Sequence, residues 1–491
     1  MGENMDISLQ KRFSARRRAV LAGLGVLGCC VFANLMLADV SSAAVPGGLD
    51  CQAADGKISG RGSTYQTVLL GDLITAYSSD FCGSVAEQPP VAGFPDPAGT
   101  TMAAYNYAAA EAASATGSGA GQKAASCRTD AFWGSDTPYT EETLKAIDEA
   151  PGKYGGSACN LTFTPPYAPQ AAENKFPNAA DITAPIMSFP VGGSSVAIIV
   201  NFGTACSKKD PTTLALTAKE VSRLFGGDVA TWADRELGEN NAALAADGCT
   251  GAVTRIVRQD SSGTTNIFKQ YLIRAENERT GQLCAVGKLW EAYFSTNTEW
   301  PGKQKPTEEG TCSAITTALK SGNPELIAKL KETQGGIGYA DLPQAVGNGF
   351  VIATVQSATG NSGYQSPVNG KAANCSYTSV QPPVGSASNA VGLSGEGANW
   401  ANNAEPNEEN VTDRGSKYPI CGLTWDLAFT GLSNTSTSAI APLTADQRRT
   451  LYSFFTFVLS STAQNLLSTI DYAPLPAGWL QTLREGFQEN F

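Results

Sequence analysis

Histidine is absent from all 491 residues. That single gap removes Ser-His-Asp and Cys-His nucleophiles, histidine general bases and HExxH zinc sites together. No Cys-x-x-Cys occurs either, so the usual spacing of a thiolate zinc site is missing. No internal repeat of solenoid or propeller period is present. Beyond residue 37 no stretch offers some 18 uninterrupted apolar residues, so no second membrane span is expected. Basic residues are scarce: 34 Lys and Arg stand against 45 Asp and Glu, a formal charge of −11. Nucleic acid and anionic membrane are therefore poor candidates for the main partner. A small anion in a pocket stays possible, because local donors govern a pocket. A paired-carboxylate hydrolase also survives these exclusions, but no carboxylate pair stands out.

What is present begins with a targeting segment. Lys11, Arg12, Arg16, Arg17 and Arg18 precede an apolar run from Ala19 to Leu37, and Ser42 and Ala44 fit a small-x-small cleavage site. Residues 1–44 read as a signal peptide of an exported, periplasmic or extracellular cell-envelope protein. Sec and twin-arginine export both stay open, the latter on "RRAVL". So do lipid attachment at Cys29 and an uncleaved anchor. Removing residues 1–44 leaves 29 basic against 42 acidic residues, a charge near −13. Ten of the twelve cysteines follow the signal, an even number that reads as disulfides in an oxidising compartment. Connectivity does not follow from sequence; neighbours such as Cys284 with Cys312, or Cys375 with Cys421, are guesses.

Hydrophobic residues make up 42%, enough for a buried core, and 491 residues suggest two or three units. "GKISGRGSTYQTVLLGDLITAY" turns amphipathic at Val68, Leu69, Leu73, Ile74 and Tyr77, so a helix should start near Ser63 and Thr64. "TDAFWGSDTPYTEETLKAI" suggests a strand, a turn and a helix from Thr140. Val196 to Val200 forms a short apolar strand, and "LTAKEVSRLFGGDV" a capped helix ending at Gly226 and Gly227. Residues 356–420 are rich in Gly, Asn, Ser and Pro and read as a long surface loop. Short strands alternating with helices indicate an α/β class with largely parallel sheets.

Three small-hydroxyl and glycine loops sit at expected helix starts: "GRGSTY" (60–65), "GSGAG" (117–121) and "DSSGTT" (260–265). A helix N-terminus offers unpaired N–H groups and partial positive charge, so it can hold an anion without lysine. Each loop taken alone is more often an N-cap. Three together, with Arg258 beside one and Asp136 after another small-residue turn, favour a shared site.

These segments resemble the PstS-like phosphate-binding proteins of bacterial ABC phosphate importers. "ISGRGSTYQ" is similar to the family's first phosphate loop, "GSGAG" to its second, "FWGSDTP" to its Ser-Asp turn and "RQDSSGTT" to its most diagnostic segment. "FPVGGSSVAIIVN", "LTAKEVSRLFGGDVATWAD", "GGIGYADL" and "DYAPLP" follow in family order, and the likeness covers about residue 57 to the C-terminus. It implies a two-lobed α/β fold, periplasmic-binding-protein type II, with ligand between lobes. One lobe would hold about 50–190 and 345–491, the other 191–344. It implies phosphate ligands Thr64, Tyr65, Ser118, Asp136, Arg258, Ser262, Gly263 and Thr264, with Asp260 orienting Arg258. It further implies inorganic phosphate as ligand, an ABC permease and ATPase complex as partner, no cofactor, no metal, no catalysis and a monomer. Ser261 departs from the pattern, standing where a glycine is usual, and residues 300–311 lack the usual Gly-Asn-rich loop. The alternatives are a sensor or binding module for another oxyanion and an exported phosphatase on the same scaffold.

Overall fold

"IMSFPVGGSSVAIIVN" forms one strand of 16 residues, Ile186–Asn201. At about 3.3 Å per residue it spans about 50 Å, far more than the usual five or six residues. The computed structural model describes residues 58–77, 103–106, 117–121, 131–137, 186–207, 213–275, 290, 298–300, 316–358, 363–377, 417–429 and 445–490. The signal segment, Cys284, Cys312, the helix expected from Thr140 and most of 356–420 lie outside the described residues.

In chain order the strands are β1 (Ile58–Gly62), β2 (Ala103–Asn106), β3 (Phe132–Ser135), β4 (Ile186–Asn201), β5 (Ala215–Leu216), β6 (Thr254–Arg258), β7 (Thr316–Lys320), β8 (Gly336–Asp341), β9 (Val351–Ile352), β10 (Thr354–Val355), β11 (Val368–Asn369), β12 (Ala372–Ala373) and β13 (Cys421–Phe429). The helices include α1 (Thr67–Ala76), α2 (Ala218–Gly226), α3 (Arg235–Asn240), α4 (Ala242–Ala246), α5 (Gly263–Ala275), α6 (Gly322–Glu332), α7 (Leu342–Ala345), α8 (Ala445–Val458), α9 (Ser461–Leu467) and α10 (Ala477–Asn490).

The main sheet runs β2-β1-β3-β13-β4-β8-β6-β7. β2-β1-β3 is parallel, and so is β8-β6-β7. The sheet is therefore mixed rather than largely parallel: two parallel blocks are spliced through antiparallel β13 and β4. The short strand expected at Val196–Val200 is the second half of β4. The splice has a sharp register. Residues 186–195 of β4 pair with β13, ending at Ser195↔Cys421, and Val196 begins the pairing with β8 at Asp341. β9 adds to the far half of β4, and β10 pairs with β5.

Local chemistry sets the helix ends. Ser63 accepts the Tyr65 N–H and caps the short 3-10 turn that leads into α1, which buries Leu69, Leu70, Leu73 and Ile74. Thr217 and Glu220 form a reciprocal capping box at the start of α2, and Gly227 ends it with φ +87°, a left-handed conformation that costs glycine little. Each block has its own aromatic core. Phe132 and Phe189 pack edge-on against Phe455. Phe225, Phe268, Trp300 and Tyr339 interlock behind β6 and β8.

Two disulfides occur among the described residues, Cys206–Cys249 and Cys375–Cys421. The second is a pairing of sequence neighbours; the first joins residues 43 apart that had no obvious partner. Cys421 opens β13 opposite Ser195, and the bridge closes a 46-residue separation there. Chain-entropy reasoning gives such a loop about 4 kcal/mol, and removal of native bridges costs about 2–5 kcal/mol. The Cys375→Ser/Cys421→Ser protein should lose stability within that range in denaturant unfolding, against an oxidised wild type. A loss below about 1 kcal/mol would mean the bridge constrains little.

Candidate functional site

Three loops meet where their glycines let backbone touch backbone. Gly62 has φ +144°, and a Cβ there would lie 2.1 Å from the Gly134 carbonyl oxygen; a Cβ on Gly121 would lie 2.3 Å from the same atom. Ser63 N–H donates to that carbonyl at 3.1 Å. Loops 60–65, 117–121 and 134–137 are thereby clamped together. From the other parallel block, α5 points its first turn at them. A Cβ on Gly263 would meet Ser118 Oγ at 2.4 Å and the Asp136 Cβ at 2.6 Å, so only glycine permits this approach.

Asp136 is the centre of the first cluster and is buried. Ser63 Oγ donates to its Oδ2 at 2.5 Å, Ser118 Oγ to Oδ2 at 3.4 Å, and Thr424 Oγ1 to Oδ1 at 2.9 Å. Burial pushes its pKa up to about 6, against the pull of those hydroxyls and of the Arg258 charge. Ser118 Oγ also accepts N–H bonds from Asp136 and from Gly263.

Arg258 ends β6, only 1% exposed. Its Nε and one terminal nitrogen grip the two oxygens of Asp260, a bidentate fork. The other terminal nitrogen donates to Asn323 Oδ1 at 2.7 Å. Burial alone pulls the guanidinium pKa down, but the Asp260 charge and hydrogen bonds outweigh it and hold the group charged. Asp260 Oδ1 also accepts the Gly322 N–H at 3.0 Å. Through these bonds Asp260 fixes the direction of the Arg258 guanidinium.

Thr264 occupies the first turn of α5, only 1% exposed, and its Oγ1 has no hydrogen-bond partner. A buried hydroxyl without a partner costs about 1–3 kcal/mol, so it invites a ligand. The structure thus brings together Thr64, Ser118, Asp136, Arg258, Gly263 and Thr264. Two anticipated residues have their hydroxyls engaged within the protein. The Tyr65 hydroxyl donates to the Ser194 carbonyl at 2.6 Å. Ser262 Oγ accepts the Thr265 N–H at 3.2 Å and so caps α5.

Sequence reasoning missed Ser63, Thr424, Asn323 and Asp341. Asn323 and Asp341 are both fully buried, and Asn323 Nδ2 donates to Asp341 Oδ1 at 2.5 Å. Burial drives the Asp341 pKa well above its ordinary range, with Asn323 opposing and the Asp136 charge assisting. The signal was "SGNPEL": a Gly-Asn pair with φ +69° at Gly322, opening α6, outside the 300–311 stretch where such a pair was sought. No group of three or more metal-ligating residues occurs among the described residues.

The sequence model of the PBP superfamily domain matches residues 166–424, more than half the chain. This chain belongs to the PBP superfamily. Within that superfamily it is similar to the phosphate-binding protein PstS of Xylella fastidiosa, 23% identical over 305 residues, which span 62% of this chain and 67% of that protein. It is also similar to PstS of Methanocaldococcus jannaschii, 24% identical over 234 residues, 46% of this chain and 54% of that one. Among solved structures, a phosphate-binding protein of Stenotrophomonas maltophilia superposes with a TM-score of 0.53 at 18% identity, covering 87% of this chain and 93% of the other. A human phosphate binding apolipoprotein superposes at 0.51 with 19% identity and the same coverage. At such identities the likeness is one of fold: a two-lobed, mixed α/β, type II periplasmic-binding-protein fold, as the PstS-like motifs implied. The PBP superfamily is one of binding proteins.

Proposed function

We propose that this chain captures inorganic phosphate outside the cytoplasm and delivers it to the permease and ATPase of an ABC importer. The observation that carries the reading is the unpaired, buried Thr264 hydroxyl at the α5 N-terminus, next to Gly263 and six residues after Arg258. The cluster at that N-terminus holds hydroxyls, backbone N–H groups and one guanidinium, the donor set an oxyanion needs. Two relatives similar in sequence carry the name phosphate-binding protein PstS. The absence of histidine favours binding over turnover. Among the described residues no helix is long and apolar enough to cross a membrane, which suits a protein released or tethered after export. We assign phosphate ligation to Thr64, Ser118, Asp136, Arg258, Gly263 and Thr264. Ser262 and Tyr65 take part only through backbone atoms or by repositioning.

Titration calorimetry of the mature protein with phosphate and with sulfate tests the reading: saturable phosphate binding and weak sulfate binding are expected. Binding of neither anion sinks it. A phosphomonoester assay separates the enzyme alternative, which predicts turnover.

The ligand set draws on the β1–β3 block and on the β6–β7 block. In this proposal the lobes, about 50–190 with 345–491 and 191–344, close by a hinge at β4 and β13. Small-angle scattering should show a smaller radius of gyration with saturating phosphate. An unchanged profile counts against closure on ligand.

A further inference from the structure

Asp341 is a fully buried carboxylate that the phosphate assignment does not use. It ends β8, one residue pair beyond the point where β4 changes partners. Three side chains from three segments converge on it. Asn323 Nδ2 and Gln344 Nε2 donate to Oδ1 at 2.5 and 2.8 Å, and the Tyr472 hydroxyl reaches Oδ2 at 3.5 Å. Each donor also touches the loop after β1. Gln344 Nε2 donates to the Thr64 carbonyl at 2.5 Å. The Tyr472 hydroxyl donates to the Tyr65 carbonyl at 2.5 Å. Asn323 N–H donates to Thr64 Oγ1 at 3.2 Å, while its Oδ1 accepts from Arg258.

The consequence is a closed circuit. The first phosphate loop belongs to the β1–β3 block, and Arg258 and Asn323 belong to the β6–β7 block. Hydrogen bonds run from Arg258 through Asn323 to Asp341, and from Asp341 through Gln344 to residue 64, while Tyr472, 3.5 Å from Asp341, bonds residue 65. Asp341 sets the direction of both amides. Its Oδ1 accepts from both amides, so both turn their NH₂ groups toward it. That leaves Asn323 Oδ1 free to receive Arg258.

We propose that Gln344, Asn323 and Tyr472, gathered on Asp341, form a latch that holds the Thr64–Tyr65 loop against the Arg258 side of the cleft and sets the lifetime of the loaded state. The proposal rests on the phosphate-capture reading for its ligand. Asp341 is a positioning residue; it touches no anion. The latch forms whenever the two sides meet, in the free protein as in the loaded one, so weakening it speeds ligand release and leaves capture alone.

Gln344 is the place to test, because it is half-buried and lies outside the assigned ligand set. Gln344→Met keeps nearly the same length and removes both donors. Phosphate release measured by stopped flow should accelerate about tenfold, the scale of one or two lost neutral hydrogen bonds, with association unchanged within about twofold. In ligand-free protein, hydrogen exchange should quicken in peptides covering residues 63–66 and 321–325 and nowhere else. Unchanged release together with unchanged exchange overturns the latch and leaves phosphate capture standing. Slower association with normal release overturns it as well, as does a uniform rise in exchange with a lowered melting temperature. If wild type binds no phosphate, the functional reading fails, and the exchange arm alone decides the latch.

Discussion

Arg258→Ala should cost phosphate affinity on the order of 100-fold and stability by about 3–5 kcal/mol at once. The first effect follows from removing a charged donor at the anion, worth about 1.5–3 kcal/mol. The second follows from Asp260. Its two oxygens are gripped by Arg258, and both side chains are 1% exposed. Truncating the arginine leaves a carboxylate buried and unpaired, and breaking a buried pair from one side costs about 3–5 kcal/mol. The two effects separate in the double variant. Arg258→Ala/Asp260→Ala removes both charges, so it should recover much of the stability and none of the affinity. Arg258→Lys keeps the charge but loses the fork and the third bond to Asn323, so it should fall between wild type and alanine in both measurements. Calorimetry and denaturant unfolding on the same samples decide. If Arg258→Ala bound phosphate normally, the pocket assignment would be wrong. If the double variant were less stable than the single, the stranded carboxylate would not be the cause.

The reach of the sequence follows the range of each interaction. "RQDSSGTT" was legible because its chemistry is local: Asp260 grips an arginine two residues away, and Ser262 caps a helix three residues on. Ser262 shows the same locality in its capping bond to Thr265. The α2 ends were legible for that reason too, through Thr217, Glu220 and Gly227. What could not be read depends on partners far along the chain. Thr424 reaches Asp136 across 288 residues, and Gln344 reaches Thr64 across 280. Nothing near Thr424 or Gln344 records those meetings. β4 misled differently. Gly192 and Gly193 break its apolar pattern, so only Val196–Val200 read as strand, although the backbone continues through the glycines while its partner changes. Parallel order was inferred from strand–helix alternation, which holds within each block but not where β13 and β4 join them. The PstS-like resemblance succeeded because it carried the order of distant segments, which local patterns lack.

Asp136→Asn should narrow the gap between phosphate and sulfate, and its stability effect should depend on pH in one direction only. A carboxylate facing an anion makes sense if the ligand brings a proton. Near neutral pH phosphate keeps at least one P–OH, whereas sulfate has none. Ionised Asp136 is acceptor-only, so it can take the phosphate proton's hydrogen bond and offers sulfate nothing. Such mismatches can discriminate by roughly 10⁴–10⁵. An amide donates to either anion, so the variant should lose on the order of 100-fold of that discrimination. Wild type carries its own control. Its pKa, raised by burial to about 6, means the carboxyl gains a proton as pH falls from 7 to 5. A protonated Asp136 can donate, so sulfate affinity should rise over that interval while the variant's stays flat. Stability has the matching sign. The folded pKa lies above the ordinary value of 3.8. Folding therefore favours the protonated form, and that contribution is complete below about pH 4 and lost as pH rises through 6. By pH 8 the ionised group costs ligand-free protein on the order of 3 kcal/mol. Asp136→Asn escapes this cost, so its stability relative to wild type should climb between pH 4 and 7 and then level. Hydroxyls at Ser63, Ser118 and Thr424 can rotate to serve the amide, so the fold should tolerate the change. A stability difference that stays constant with pH would show that Asp136 does not carry a raised pKa. Full discrimination in Asp136→Asn would show that selectivity resides elsewhere in the pocket.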